Sequence, residues 1–368
     1  MANMAQAIRL ALHYGEERLG VTDVFGEDVG PPLGGVFTCT QGLRTAWNTP
    51  LDERGILGMA MGIAMTGRRP VAEIQLCDYI FNAIDLLKLA GNACWGSHGD
   101  FQLPMVVMTP VGSGIHGSLY HSHSIESIIS HVPGWKVLMP STPLDAYGLL
   151  ISAIEDPNPV LFLPPKVLLR TKGDELIPGE PEDARELHAL IDAPLGDRTQ
   201  WKPQWPDVQP YRVPIGEAKL VREGKNATVV TYGRLAPVCQ KAADELRAEG
   251  LSFDVLDLRS LVPFDLEAIL RSVHKTRRIL VVNEDTEVTN YGEHLLRKVV
   301  DRAWGELEAA PVLLAGADVP GIGMAWTLES ASVPQQPGVV RAMRQLATAP
   351  ARETGGFLAT PLQLARYR

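Results

Sequence analysis

The feature that most constrains this chain is an alternation of two hydrophobic periods, interrupted once. Short β-branched apolar runs occupy residues 21–25, 71–76, 105–109, 136–139 and 160–163, with helix-period stretches at 53–65, 78–93 and 143–154 between them. Continuous apolar strands bounded by helices predict a mostly parallel sheet covered on both faces. The alternation then stops. Residues 174–212 hold six prolines together with Trp201 and Trp205. That composition predicts an inter-domain linker, part of which lies against a domain surface. Strand-like runs resume at 228–232, 253–258, 279–283 and 312–315, with helices expected at 235–249, 266–273 and 291–304 and Gly250 as a C-cap. The expected class is therefore α/β, with a parallel-sheet domain over 1–173, a linker over 174–212, a smaller α/β domain over 213–347 and a tail over 348–368. No internal repeat is visible.

Length agrees: 368 residues suit two or three domains at ~100–200 residues each. Lys and Arg number 34 against 43 Asp and Glu, a net charge of −9. This argues against a nucleic-acid or anionic-membrane partner, which needs a basic face. Nine acids against four bases fall within 174–212, so the excess is concentrated in the expected linker. The N-terminus carries acids and lacks the apolar centre of a signal peptide, and no run reaches the ~18 apolar residues of a membrane helix. Cys39, Cys77, Cys94 and Cys239 form no C-x-x-C pair and read as reduced thiols of a cytoplasmic protein.

Several local patterns carry possible chemistry. Gly55, Gly58, Gly62 and Gly67 lie inside a helical stretch, not between a strand and a helix start, so Gly58-x-x-x-Gly62 predicts close helix–helix packing and not a phosphate loop. Asp52 and Glu53 open that helix, where acids complement the dipole. Five of the nine histidines fall between His98 and His131. His121-x-His123 would share one face of a strand, but zinc needs three or four ligands, and only Glu126 is a nearby acidic candidate. A catalytic or phosphate-facing histidine near the 112–117 loop is the competing expectation. The turn at 153–158 reads as Asx and proline chemistry, or as a cation held by carbonyls with Asp156 and Asn158.

Taken in order, these segments resemble a known family. They are Gly26 to Gly30, Gly34 to Phe37, Thr49 to Gly55, Glu73 to Phe81, Leu119 to Glu126, Pro133 to Val137 and Ala153 to Asn158, then Val229 to Gly233, Val255 to Leu261 and Ser272 to Thr276. Together they are similar to the beta subunit of the thiamin-diphosphate-dependent decarboxylating component of 2-oxo acid dehydrogenases. The match covers roughly 3–173 and 211–345. It implies a transketolase-like pyrimidine-binding domain followed by a transketolase C-terminal domain.

The resemblance also implies roles. Glu53 would bond N1′ of the aminopyrimidine, favouring the 4′-imino tautomer that takes the proton of thiazolium C2. Leu51, Gln75 and Tyr79 would line the pyrimidine. His121 would serve acyl transfer to lipoamide by giving a proton to the opening dithiolane sulfur. Ala153, Ile154, Asp156 and Asn158 would hold a structural K⁺. The Gly-Asp-Gly motif that anchors Mg²⁺ and the diphosphate is absent. An alpha subunit would therefore complete the site, in an α2β2 heterotetramer with a β–β contact, working with a lipoyl-bearing acyltransferase core. Leu119-Tyr120-His121-Ser122 leans toward branched-chain substrates, with pyruvate and acetoin as alternatives. A non-catalytic assembly subunit is the competing class. Departures from the family pattern include His123, Ile125 and Asn283-Glu284-Asp285.

Overall fold

The computed structural model describes residues 1–352 apart from 118, 197 and 199. Most of the expected tail lies outside the described residues, and Thr348 closes a helix, Gln336–Thr348. Twelve described strands, β1 (Val21–Gly26), β2 (Ala46–Asn48), β3 (Arg69–Glu73), β4 (Val106–Met108), β5 (Lys136–Leu138), β6 (Val160–Phe162), β7 (Lys219–Arg222), β8 (Ala227–Thr231), β9 (Phe253–Asp257), β10 (Ser260–Val262), β11 (Ile279–Thr286) and β12 (Val312–Gly316), form two sheets. The first runs β10-β5-β6-β4-β3-β1-β2 and the second β12-β11-β8-β9-β7. All neighbours are parallel except β10 on β5 and β7 on β9.

The central parallel strands are the continuous apolar runs, buried because helices cover both faces, while the edge strands β2 and β12 are only partly buried. β2, β7 and β10 were not legible as strands. Lys219–Arg222 is a half-polar edge, and Ser260–Val262 is three residues long before Pro263. β10 joins the two halves. It leaves the second sheet and pairs with the first, Ser260 opposite Leu138, while Met139 N–H donates to Arg259 O at 2.8 Å. One apolar core follows it, running from Val137, Met139 and Leu161 to Tyr232, Leu258 and Leu261.

Two helices behave differently from the expectation. Met4–Tyr14 is buried along nine of its eleven residues and packs on Pro143–Glu155. Its polar residues Gln6, Arg9 and His13 share one face, but that face meets Asp192 and Trp205 instead of water. Helix Glu53–Met65 keeps its expected bounds, but the glycine contact is not made within the chain. A Cβ on Gly58 would touch only Leu86, at 3.5 Å, and one on Gly62 would meet nothing within 4 Å. That face, with Met59 and Met65, is exposed.

Residues 174–212 are not bare connector. They form helix Ala184–Ile191, whose Leu187 and Ile191 enter the core of the N-terminal helix, as do Val208 and Val213 just beyond. Fully buried Arg9 pairs with Asp192 Oδ1 at 2.7 Å and donates to Ile191 O at 2.6 Å. Trp205 stacks on His13 at 4.2 Å.

Candidate functional site

The carboxyl ends of β1 and β3 are adjacent, and the sheet continues outward from them on opposite sides, through β2 and through β4. Open α/β sheets bind ligands in the crevice outside such a point. β1 delivers Glu27 and Asp28 there, and β3 delivers Gln75. The 3₁₀ turn Cys77–Ala83 presents Asp78, Tyr79 and Asn82. Helix Glu53–Met65 brings Glu53 in at its first turn, after Leu51.

Of the residues singled out from the sequence, Glu53, Gln75, Tyr79 and His121 fall in this region. Asn82 Nδ2 donates to Glu53 Oε2 at 3.3 Å, the one hydrogen bond to that carboxylate among the described residues. Gln75 Nε2 donates to Asp28 Oδ2 at 3.3 Å. Tyr79 Oη and His121 Nε2 share a 3.0 Å hydrogen bond, their rings edge-on at 5.7 Å. His121 Nδ1 is buried with no partner. Partial burial, then the charges of Asp28 and Glu53, raise the Glu27 carboxyl above its ordinary range. Partial burial, then Asp78, Glu27 and Glu53, does the same for the Tyr79 phenol. Glu27, Glu53 and Tyr79 therefore share one field. Leu51 stands 71% exposed.

His121 and His123 lie in a turn, not on a strand face. His123 Nδ1 pairs with Asp78, and Cys77 Sγ donates to His123 O at 3.0 Å. Among the described residues no group of three His, Cys, Asp or Glu side chains is arranged to hold a metal. Asn82 escaped sequence reading. Its signal is the i, i+3 spacing from Tyr79, which eclipses the two side chains on a 3₁₀ turn.

Ala153, Ile154, Asp156 and Asn158 lie together at the other end of the sheet, beyond the amino ends of β5 and β6. Several of their acceptors are engaged. Asn158 N–H and Nδ2 donate to Asp156 Oδ1 at 2.9 and 3.2 Å, and Lys136 ion-pairs with Asp156 Oδ2. Arg69 donates to Ile154 O.

Exposed apolar side chains recur from the crevice outward along helices Glu53–Met65 and Ile84–Gly96 and just beyond: Leu51, Met65, Phe81, Leu89, Trp95 and Phe101 are all exposed, Trp95 by 87%. Solvent-facing apolar groups gathered in this way mark a surface that another molecule covers.

The comparisons agree with this geometry. Residues 1–172 match the transketolase pyrimidine binding domain model and residues 216–339 the transketolase C-terminal domain model. The chain is 38% identical over 348 residues to the 2-oxoisovalerate dehydrogenase subunit beta of Bacillus subtilis, covering 93% of this chain and 97% of that one. It is 41% identical over 328 residues to the protein of the same name from Pseudomonas aeruginosa, with coverage of 86% and 87%. The pyruvate dehydrogenase E1 component subunit beta of Acholeplasma laidlawii is 37% identical over 323 residues, with coverage of 86% and 89%. A split-gene transketolase solved as an inactive beta4 tetramer superposes with a TM-score of 0.68 at 19% identity, covering 96% of this chain and 100% of that one, which speaks to the fold alone. Identity at this level along most of both chains makes the protein a member of the 2-oxo acid dehydrogenase beta-subunit family, with transketolase-type pyrimidine-binding and C-terminal domains.

Proposed function

We propose that this chain is the beta half of a 2-oxo acid dehydrogenase decarboxylating component acting on a branched-chain 2-oxo acid and passing the acyl group to lipoamide. The family is one of thiamin-diphosphate-dependent, multi-subunit enzymes. The observation that carries the reading is Glu53: a carboxylate at the β1–β3 crevice with one long hydrogen bond, beside an exposed leucine and an aromatic ring. Such a set suits an aminopyrimidine, which needs one anionic acceptor and apolar faces.

When bound, thiamin diphosphate supplies the thiazolium carbon that attacks the 2-oxo group and accommodates the electrons released with CO₂. Glu53 holds the proton at N1′, Leu51 and Tyr79 flank the ring, and Gln75, turned toward Asp28, orients its polar edge. His121, anchored by Tyr79 at Nε2, gives a proton to the lipoyl sulfur. Mg²⁺ and the diphosphate fall to an alpha subunit, since this chain has no Gly-Asp-Gly. The apolar face around Leu51 and Trp95 is where that subunit docks in an α2β2 heterotetramer with a β–β contact, and a lipoyl-bearing acyltransferase core is the next partner. The turn at Ala153, Ile154, Asp156 and Asn158 does not fit potassium as it stands. Lys136 and Arg69 already engage two of its acceptors, Asp156 Oδ2 and Ile154 O. We divide the chain functionally at 1–173 and 213–347, joined by 174–212, with 348–368 a tail. No described helix is long and apolar enough to cross a membrane, and we place the protein in the cytoplasm.

The decisive experiment pairs the chain with its partner subunit and follows decarboxylation of a panel of 2-oxo acids with an artificial electron acceptor. Glu53→Gln should lower the rate by about 10³-fold, within the range of general acid–base contributions. An unchanged rate would leave the assembly-subunit reading standing. A preference for pyruvate over branched acids would correct the substrate.

A further inference from the structure

The segment between β4 and helix Glu126–Ser130 carries His121, and its base belongs to the first sheet. Val111 N–H donates to Pro164 O at 3.0 Å and Gly112 N–H to His123 O at 2.8 Å. Its outer half is held from the second domain. Glu284 Oε2, on β11, accepts Ser113 Oγ at 2.9 Å and Ser113 N–H at 3.4 Å, and also Arg234 Nε at 2.7 Å. Glu329, on helix Trp326–Ser332, takes Gly114 N–H on Oε1 at 2.6 Å and sets Oε2 against His116 Nδ1. Trp326 meets the His116 ring edge-on at 5.7 Å.

Glu329 is 2% exposed although its helix lies at the surface, so its carboxylate is turned wholly onto this loop. His116 sits at φ +55°, a left-handed conformation that a non-glycine residue keeps only where its surroundings hold it. The loop reaches His121 by close packing: a Cβ on Gly117 would fall 2.7 Å from His121 Cβ. On the far side, a Cβ on Gly321 would fall 2.8 Å from Leu119 Cδ2.

We infer that Glu329 is a positioning residue for His121: by fastening Gly114 and His116 across the domain boundary, it sets where the imidazole stands. It acts through the loop, and this inference rests on the reading of His121 as the group serving acyl transfer. A misplacement of ~1 Å can cost on the order of 10²-fold in rate, so a carboxylate outside the crevice can control one step of the reaction.

The test compares wild type, Glu329→Ala, Glu329→Gln and His121→Gln, each assembled with the partner subunit. Decarboxylation is read with an artificial acceptor, and acyl transfer with a lipoylated domain. Glu329→Ala should slow acyl transfer about tenfold or more while decarboxylation stays within about twofold. Glu329→Gln, which keeps an oxygen for Gly114 N–H, should fall between. Equal loss of both rates, or wild-type acyl transfer in Glu329→Ala where His121→Gln loses it, overturns the inference. A second readout is independent of the reaction. In the chain alone, the proton NMR signal of His121 Cε1–H, assigned through His121→Gln, should shift in Glu329→Ala, and an unmoved signal overturns the inference. Should His121→Gln transfer acyl groups normally, the assigned role of His121 fails, and the NMR result alone decides whether Glu329 positions it.

Discussion

Carboxylates gather in two places in this protein, and the two groups are treated in opposite ways. At the crevice, Glu53, Glu27 and Asp28 have few and long partners: Asn82 and Gln75 each reach one of them at 3.3 Å. At the seam between the domains, Tyr232 O–H donates to Glu126 Oε1 at 3.0 Å, Arg234 pairs with Glu284 at 2.7 Å, and Ser127 donates to Asp285 through N–H at 3.1 Å and through its hydroxyl. At the joint, folding gives most of the buried carboxylate oxygens a partner, Glu126 Oε2 being the exception. At the crevice it leaves them with few.

The largest test of that contrast is Glu53→Gln. Replacing this sparsely bonded carboxylate, 7% exposed, should cost about 10³-fold in decarboxylation while the urea unfolding midpoint stays near wild type, because only Asn82 is bonded to it. Arg234→Ala should do the reverse. It strands Glu284 in the seam and should cost about 3–5 kcal/mol of stability by urea titration, since a buried charge without its partner is strongly destabilising. Trp95→Ala probes the exposed apolar residues of helix Ile84–Gly96. A loss of about 2 kcal/mol, roughly thirtyfold, in affinity for the partner subunit by sedimentation equilibrium would mark it as an interface anchor. An unchanged affinity would move the docking face elsewhere.

The smallest effect is in pH dependence. Burial, with Asp285 adding its charge, raises the Glu126 carboxyl, and one of its oxygens lacks a partner. The folded chain therefore keeps this proton where the unfolded chain, titrating near 4.5, has lost it. The stabilising contribution is complete below about pH 4.5 and falls as pH rises toward the raised value. Glu73, buried and pushed up to about 8, acts in the same direction. Unfolding free energy should decline between pH 5 and pH 8, and Glu126→Gln should flatten that decline by about 1 kcal/mol. An unaltered slope would show that Glu126 is ionised at the seam.

Much of this was legible in the residues. Both sheets announce themselves as continuous apolar runs, and helix Glu53–Met65 has the bounds its period predicts. The family resemblance carried by the ordered short motifs pointed to Glu53, Gln75, Tyr79 and His121. Four things were illegible for physical reasons. The polar face of the N-terminal helix is covered by Asp192 and Trp205, and β10 is too short and too close to a proline to show alternation. Gly62 turns outward, with nothing within 4 Å of its Cβ position, although its spacing suggested a helix contact. Residues 174–212 read as a joint, yet they supply Leu187, Ile191 and Val208 to a core.

By itself, then, the sequence determined the order of strands and helices, the parallel character of the sheets and the residue types offered at the crevice, all of which depend on neighbours a few positions away. The tertiary structure decided what those residues meet. It set Lys136 on Asp156, carried β10 into the first sheet, and brought Glu284 and Glu329 onto a loop more than 160 residues distant in sequence. Such contacts rest on burial and charge pairing between segments with no local relation, and no periodicity records them.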